Sequence, residues 1–245
     1  MIRHQAKTLI FDIELSPNLA WVYQKYETDV LDFDKYQWVQ SVSFKWLGKD
    51  KTYTYIQPDF PEWNNDKFDD SGPLKKLYEA IEQSEIVVGH NVKKFDIKKI
   101  NTRFLIKGMS PPRPYKVVDT LTVARSKFGF VGNSLNDLSI QLGIGQKLEK
   151  GVSQLWKKCI NGDLKAWEHM RKYNRQDVLL TEKIYKILLP WMEPFPVVHI
   201  DNGKCRKCQG NHLIKRGHAY TKKGQFHRLQ CVGCGSWSVS ERITE

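Results

Sequence analysis

The chain has 245 residues, 40% of them hydrophobic and 12% aromatic, enough for one well-buried domain and a smaller appendage. Lys and Arg number 39 against 27 Asp and Glu; the formal charge of +12 makes a polyanion the expected partner, although excess charge also serves solubility alone. Five cysteines, an odd number with no apolar leader after Met1, argue against a disulfide framework and for metal binding by a subset, and no apolar window reaches membrane-span length. The expectation is a soluble, intracellular protein, cytoplasmic or nucleoid-associated.

The first apolar run, residues 9–14, reads as a buried strand that carries Asp12 and Glu14. Residues two apart on a strand share a face, so the two carboxylates project side by side. Two readings fit: solvated acids at a strand end, or a buried pair that needs a cation to offset desolvation and repulsion. An aromatic connection over 18–37, with Trp21, Tyr23, Tyr26, Phe33 and Tyr36, is too long for a tight hairpin. Its rings either stack on bases or, as expected for most of them, pack. Residues 39–46 and 52–56 read as a hairpin turning at Gly48-Lys49-Asp50. A helix with Leu74, Leu77, Tyr78 and Ile81 at helical spacing follows.

Residues 85–89 then form a short apolar strand ended by Gly89, of the kind found in parallel sheets, leading to a helix over 94–106 with Phe95, Ile97, Ile100, Phe104 and Leu105 on its inner side. Val117-Val118 is another strand, and Asp119 with Thr120 caps a helix over 121–128. Further helices are expected over 134–142 and 164–189, the last stopped by Pro190. Strands first and β/α alternation afterwards predict an α/β fold: a mixed sheet with helices on both faces.

Gly89-His90-Asn91 and Phe95-Asp96 sit at the carboxyl edge of that sheet, where open α/β folds bind ligands. Asp96 alone is compatible with a dipole-complementing acid, Asn91 with an N-cap, and His90 with a hydrogen-bonded turn residue. In the long helix Tyr173 and Asp177 lie one turn apart on one face; a surface acid beside a core-edge aromatic is the plain reading of that pair.

Taken together, Asp12-x-Glu14, Gly89-His90-Asn91 through Phe95-Asp96, and Tyr173-x-x-x-Asp177 resemble, over roughly residues 7–189, the motifs of the DEDD superfamily of 3′-to-5′ exonucleases. The tyrosine resembles the branch that holds ribonuclease D and the proofreading domains of family A and family B DNA polymerases. The family-B-like group is nearest in phrasing, through Val118-Asp119-Thr120-Leu121 and Tyr173-Asn174-Arg175-Gln176-Asp177-Val178. The sister branch places a histidine where this chain has Lys172, and His169 does not match it.

The resemblance implies a ribonuclease-H-like mixed five-stranded sheet flanked by helices. It also implies two Mg²⁺ or Mn²⁺ ions held by Asp12, Glu14, Asp96 and Asp177, with Tyr173 orienting the attacking water; four oxygen-donating acids suit those ions. Asn91 and Phe95 would hold the terminal nucleotide or support the site rather than carry chemistry. Asp119 is adequately explained as an N-cap and stays outside the metal set.

Residues 190–196 are proline-rich and read as a boundary: a domain over 1–189, a linker over 190–204 and a small β module over 205–245. From residue 190 onward nine Lys or Arg face four acids, so the tail is the denser positive patch. Cys205-x-x-Cys208 and Cys231-x-x-Cys234, with 22 residues between them, are two knuckles with the spacing of a closed tetrahedral Zn²⁺ site, and the module resembles a zinc ribbon. Cys159 is expected to be a buried small apolar residue. Lys215, Arg216, Lys222, Lys223 and Arg228, interleaved with Tyr220 and Phe226, are candidates to grip nucleic acid; a solvated face on a structural cap is the competing reading.

The expected activity is metal-dependent 3′-to-5′ exonucleolytic release of nucleotides from DNA or RNA, with single-stranded 3′ ends as the partner and a polymerase or repair protein possible in trans. A nucleic-acid-binding adaptor with an inactive exonuclease fold, or a structure-specific endonuclease, stays open.

Overall fold

In the computed structural model the described residues are 6–26, 29–148, 154–192, 203–221 and 224–242. The chain begins with β1 (Thr8–Leu15), followed by a short pair, β2 (Leu19–Trp21) and β3 (Asp32–Lys35), and then by β4 (Val39–Trp46) and β5 (Thr52–Ile56). Next come α1 (Glu62–Asn65), α2 (Ser71–Glu82), β6 (Ile86–Gly89), α3 (Asp96–Ile106), β7 (Lys116–Asp119) and α4 (Thr120–Lys127). The helices α5 (Leu135–Gln141), α6 (Leu155–Ile160) and α7 (Leu164–Leu188) complete this part. The strand order β5-β4-β1-β6-β7, antiparallel through β4 and β5 and parallel through β6 and β7, is the mixed five-stranded sheet expected of a ribonuclease-H-like fold.

The central strand decides where the site lies. Side chains alternate across β1. Leu9, Phe11 and Ile13 join one cluster with Leu74, Leu77 and Ile81 of α2 and Ile100 and Phe104 of α3. Ile10 joins the opposite cluster, with Val178, Leu180 and Ile184 of α7 and Leu138 of α5. Asp12 and Glu14 have the parity of Ile10 and therefore face α7. Gly89 ends β6 tightly: a Cβ there would meet Val92 Cβ at 2.6 Å and the Phe11 carbonyl oxygen at 3.3 Å, so glycine lets β6 close on β1 next to the acids.

Helix boundaries follow local chemistry. Ser134 and Asp137 form a reciprocal capping box at α5. Asp163 caps the 25-residue α7 through the N–H groups of Lys165 and Ala166, and Pro190 follows that helix's end. Asp119 caps α4, as expected, and also accepts the Asn91 and Lys93 N–H groups at 3.0 and 3.1 Å. Helix α3 departs from expectation: it starts at Asp96 with Phe95 as N-cap, and Asn91 is a turn residue with φ of 63°. Phe95 is 42% and Leu105 78% exposed, so neither lies on the inner side.

The aromatic connection also differs. Trp21, Tyr23, Tyr26 and Tyr36 are exposed by 67% or more, so most of its rings do not pack. Beyond residue 203, β8 (Leu213–Thr221), β9 (Gly224–Cys231) and β10 (Trp237–Arg242) make a three-stranded antiparallel sheet. A cysteine cluster beside these small strands is compatible with a zinc ribbon. Among the described residues no helix is long and apolar enough to cross a membrane.

Candidate metal centre and its surroundings

Three of the four expected acids converge. One carboxylate oxygen each from Asp12, Glu14 and Asp177 lie within 4.8 Å of one another, contributed by β1 and, more than 160 residues later, by α7. Asp96, in the first turn of α3, is outside that group, yet its charge reaches Asp12. Its own carboxyl accepts from the N–H groups of Asp96 and Ile13.

The electrostatics are those of a site short of positive charge. Burial, then the charges of Asp177, Asp96 and Glu14, push the Asp12 carboxyl well above the usual carboxylate range, with Lys147 opposing. Burial pushes Asp96 up to about 7 against its backbone hydrogen bonds. Oxygen donors so placed fit a hard divalent cation.

Two features were not legible in the sequence. Asn174 donates to Asp12 Oδ2 at 2.6 Å and accepts from the Ser41 hydroxyl at 2.8 Å, tying β4, α7 and the first acid into one relay. Lys147, in the loop after α5, pairs its Nζ with Asp177 Oδ2 and stands 4.9 Å from the Tyr173 ring centroid. Burial would depress the lysine; Asp177, then Asp12 and Tyr173, outweigh it and hold the ammonium charged. Asn174 falls inside the motif stretch from Tyr173 to Val178 but carries no assigned role there, and Lys147 is one lysine among 39 basic residues.

Tyr173 is buried, packs edge-on against Trp156 with ring centroids 6.2 Å apart, and hydrogen-bonds Lys147 through its hydroxyl. Burial raises its pKa, with Lys147 pulling the other way. His90 is a bonded turn residue: Nδ1 meets Thr120 Oγ1 at 2.9 Å and Nε2 donates to the Asn133 carbonyl at 3.0 Å.

The second cluster is chemically distinct. The four sulfurs of Cys205, Cys208, Cys231 and Cys234 lie within 4.8 Å of one another, with Cys205 to Cys234 at 3.6 Å and Cys208 to Cys231 at 3.5 Å. Tetrahedral Zn–S bonds of about 2.3 Å require sulfurs about 3.8 Å apart, so the set fits Zn²⁺. Although burial opposes it, the N–H groups of Cys208 and Lys207 and the Ser236 hydroxyl bring the Cys205 thiol down to about 6. Cys159 lies apart, buried in α6, with burial pushing its thiol up to about 12, as its apolar reading requires.

The expected ribbon cations do not share one face. The β8–β9 register pairs Lys215 with Leu229 and His218 with His227, whereas Arg228 pairs with Val239 on the other side of β9. Lys215, Arg216 and Arg228 are exposed; Lys222 and Lys223 lie outside the described residues.

The comparisons with known proteins bear on the fold that gathers these acids. The chain belongs to the RNase H superfamily, whose family model matches residues 22–189, from just past Asp12 and Glu14 through Asp177. A fold likeness links it to the family B DNA polymerase of the hyperthermophilic archaeon Pyrobaculum calidifontis, with a TM-score of 0.56 and 17% identity over 77% of this chain and 25% of that one. Protein NEN3 of Arabidopsis thaliana is 28% identical over 82 residues, 33% of this chain and 16% of that protein. The chain thus spans a minor part of either relative's length.

Proposed function

We propose that the protein is a metal-dependent 3′-to-5′ exonuclease of the DEDD type, tyrosine branch, that releases nucleotides from DNA or RNA ends. The observation that carries this reading is the meeting of Asp12, Glu14 and Asp177 within 4.8 Å, with Tyr173 one helical turn from Asp177. Asp12, Glu14 and Asp177 would hold a pair of Mg²⁺ or Mn²⁺ ions, with Asp96 completing the second position. Bound there, such ions activate water and stabilise the departing 3′ oxygen.

The chain's own residues do the rest. The Asn174 amide fixes one oxygen of Asp12 and so presents the other to the cage. Tyr173, its ring packed against Trp156 and its hydroxyl bonded to Lys147, would orient the attacking water. Asn91 and Phe95, on the loop that closes between β6 and α3, would hold the terminal nucleotide; the exposed Phe95 ring offers a stacking face. The four-cysteine cluster would hold one structural Zn²⁺ in a ribbon over 205–245, joined by a linker over 190–204 to a nuclease domain over 1–189. The ribbon would aid nucleic-acid binding, with a polymerase or repair protein as a partner in trans.

One observation favours a second reading, an adaptor with an inactive exonuclease fold: the Lys147 ammonium already neutralises Asp177. Cleavage separates the two. With 5′-labelled DNA and RNA oligonucleotides in Mg²⁺ or Mn²⁺, the wild-type protein should produce a ladder shortening from the 3′ end. Asp12→Ala should slow it by at least a thousandfold. Metal-dependent cleavage of none of these substrates by the wild type would overturn the exonuclease assignment.

A further inference from the structure

Asp119 does more than a helix cap requires. It ends β7 in register with Gly89, the last residue of β6, so the turns that leave these two parallel strands start side by side at the carboxyl edge of the sheet. Capping α4 uses one oxygen: Oδ1 accepts the Leu121 N–H at 3.0 Å and the Thr122 N–H at 3.4 Å. The same carboxylate reaches across to the neighbouring turn, where Oδ1 accepts the Asn91 N–H at 3.0 Å and Oδ2 the Lys93 N–H at 3.1 Å. Asp119 is 3% exposed, its oxygens are both engaged by N–H groups, and it is not among the acids that meet at the metal centre.

The turn held in this way is one that needs holding. Asn91 has a φ of 63°, in the left-handed region that disfavours most L-residues and that asparagine tolerates best after glycine. Its carbonyl accepts the Lys94 N–H at 3.2 Å and the Phe95 N–H at 3.1 Å, so the backbone of Phe95 is set directly by Asn91. Phe95 is 42% exposed, and core packing alone does not fix it. A chain of hydrogen bonds thus runs from Asp119 through Asn91 to Phe95. His90, bonded to the Thr120 hydroxyl and the Asn133 carbonyl, ties the same two turns a second time.

We infer that Asp119 is a positioning residue for the substrate end: it fixes Asn91, and through the Asn91 carbonyl Phe95, where the two would hold the terminal nucleotide. This rests on the exonuclease reading, which gives Asn91 and Phe95 that role. The distinction from a plain cap lies in the second oxygen. Asparagine or serine would cap α4 as well as aspartate does. Neither offers two acceptor oxygens: serine has one, and the amide nitrogen of asparagine would oppose the Lys93 N–H donor to donor, which displaces the turn.

The test is a double-mutant cycle on the full chain: wild type, Asp119→Asn, Phe95→Ala and the pair, each titrated with 5′-fluorescein trinucleotides of dT and of U, with Ca²⁺ in place of Mg²⁺. Asp119→Ser is an independent second variant. Both replacements of Asp119 keep a cap for α4, and thermal melting checks that they fold. Phe95→Ala should weaken binding of at least one trinucleotide about tenfold through the lost stacking face. Asp119→Asn should weaken it about fivefold, and the pair should bind within about twofold of Phe95→Ala alone, because residues that act through one another are not additive. Binding by both Asp119 variants within about twofold of wild type, or losses that multiply in the pair, would overturn the inference. Unfolding of both Asp119 variants would overturn it too, assigning Asp119 to the fold alone, as would a wild type that binds neither trinucleotide. Wild-type cleavage in Mg²⁺ or Mn²⁺ is scored separately: cleavage without coupling removes the positioning role alone, and coupling without cleavage removes the exonuclease reading alone.

Discussion

Asp12 is costly to leave without a cation. Burial and three neighbouring acids raise its pKa, and Asp96 beside it is brought to about 7. An acid whose folded pKa exceeds its unfolded value of about 3.9 takes up protons on folding. The stability it contributes is therefore complete below that value and is lost as pH rises through the folded pKa. The protein carrying zinc but neither Mg²⁺ nor Mn²⁺ should accordingly melt at a lower temperature at pH 8 than at pH 5.5. Asp12→Asn, which removes the charge and keeps an acceptor for Asn174, should raise the pH 8 melting temperature by several degrees, at about 2–4 °C per kcal/mol for a chain of this size. Calorimetry at the two pH values checks this; equal pH dependence in wild type and variant would refute it. The acids were legible because carboxylates are conspicuous in an apolar strand. Asn174, Ser41 and Lys147 were not, because amides, hydroxyls and lysines are ordinary at helix, strand and loop positions and only the fold brings them to the acids.

At the scale of elements, what the sequence revealed depended on how strongly each segment repeats its burial. Strands β4 and β5 were read at their true bounds, and α5 and α7 to within a residue or so, because capping residues and apolar spacing agree there. The β2–β3 pair went unread: every side chain of β3 is exposed, so no core imposes a pattern on it. The six-residue α6, expected only as a helical stretch around Trp156 and Cys159, is too short to show a period, and β10 lies beyond the last knuckle. The three C-terminal strands enclose only a thin core, so under the proposed zinc binding their order should depend on the four sulfurs. Cys231→Ser should therefore reduce bound zinc from one equivalent to below 0.2, as read by atomic absorption, and should expose the ribbon backbone to hydrogen exchange. Full protection of β8 and β9 without zinc would show that the strands hold themselves.

For the molecule as a whole, the charge of +12 and the local charge deficit at the acids are complementary: basic surface attracts a polyanion, and an acidic centre admits the cations that would cut it. The sequence announced both halves, but not the tie between the two turns at the sheet edge: Asp119 reads as a helix cap, and only the parallel register of β6 and β7 brings Asn91 and Lys93 to its carboxylate. The claim on which the rest depends is that the acids form a two-ion cage. Titration of the zinc-loaded protein with Mn²⁺ at pH 8, following free Mn²⁺ by electron paramagnetic resonance, tests it most directly. The wild type should bind two Mn²⁺ per chain and Asp12→Ala should bind none at that site. A wild type that takes up no more Mn²⁺ than Asp12→Ala would contradict the cage and favour a fold in which Lys147 has replaced the metal.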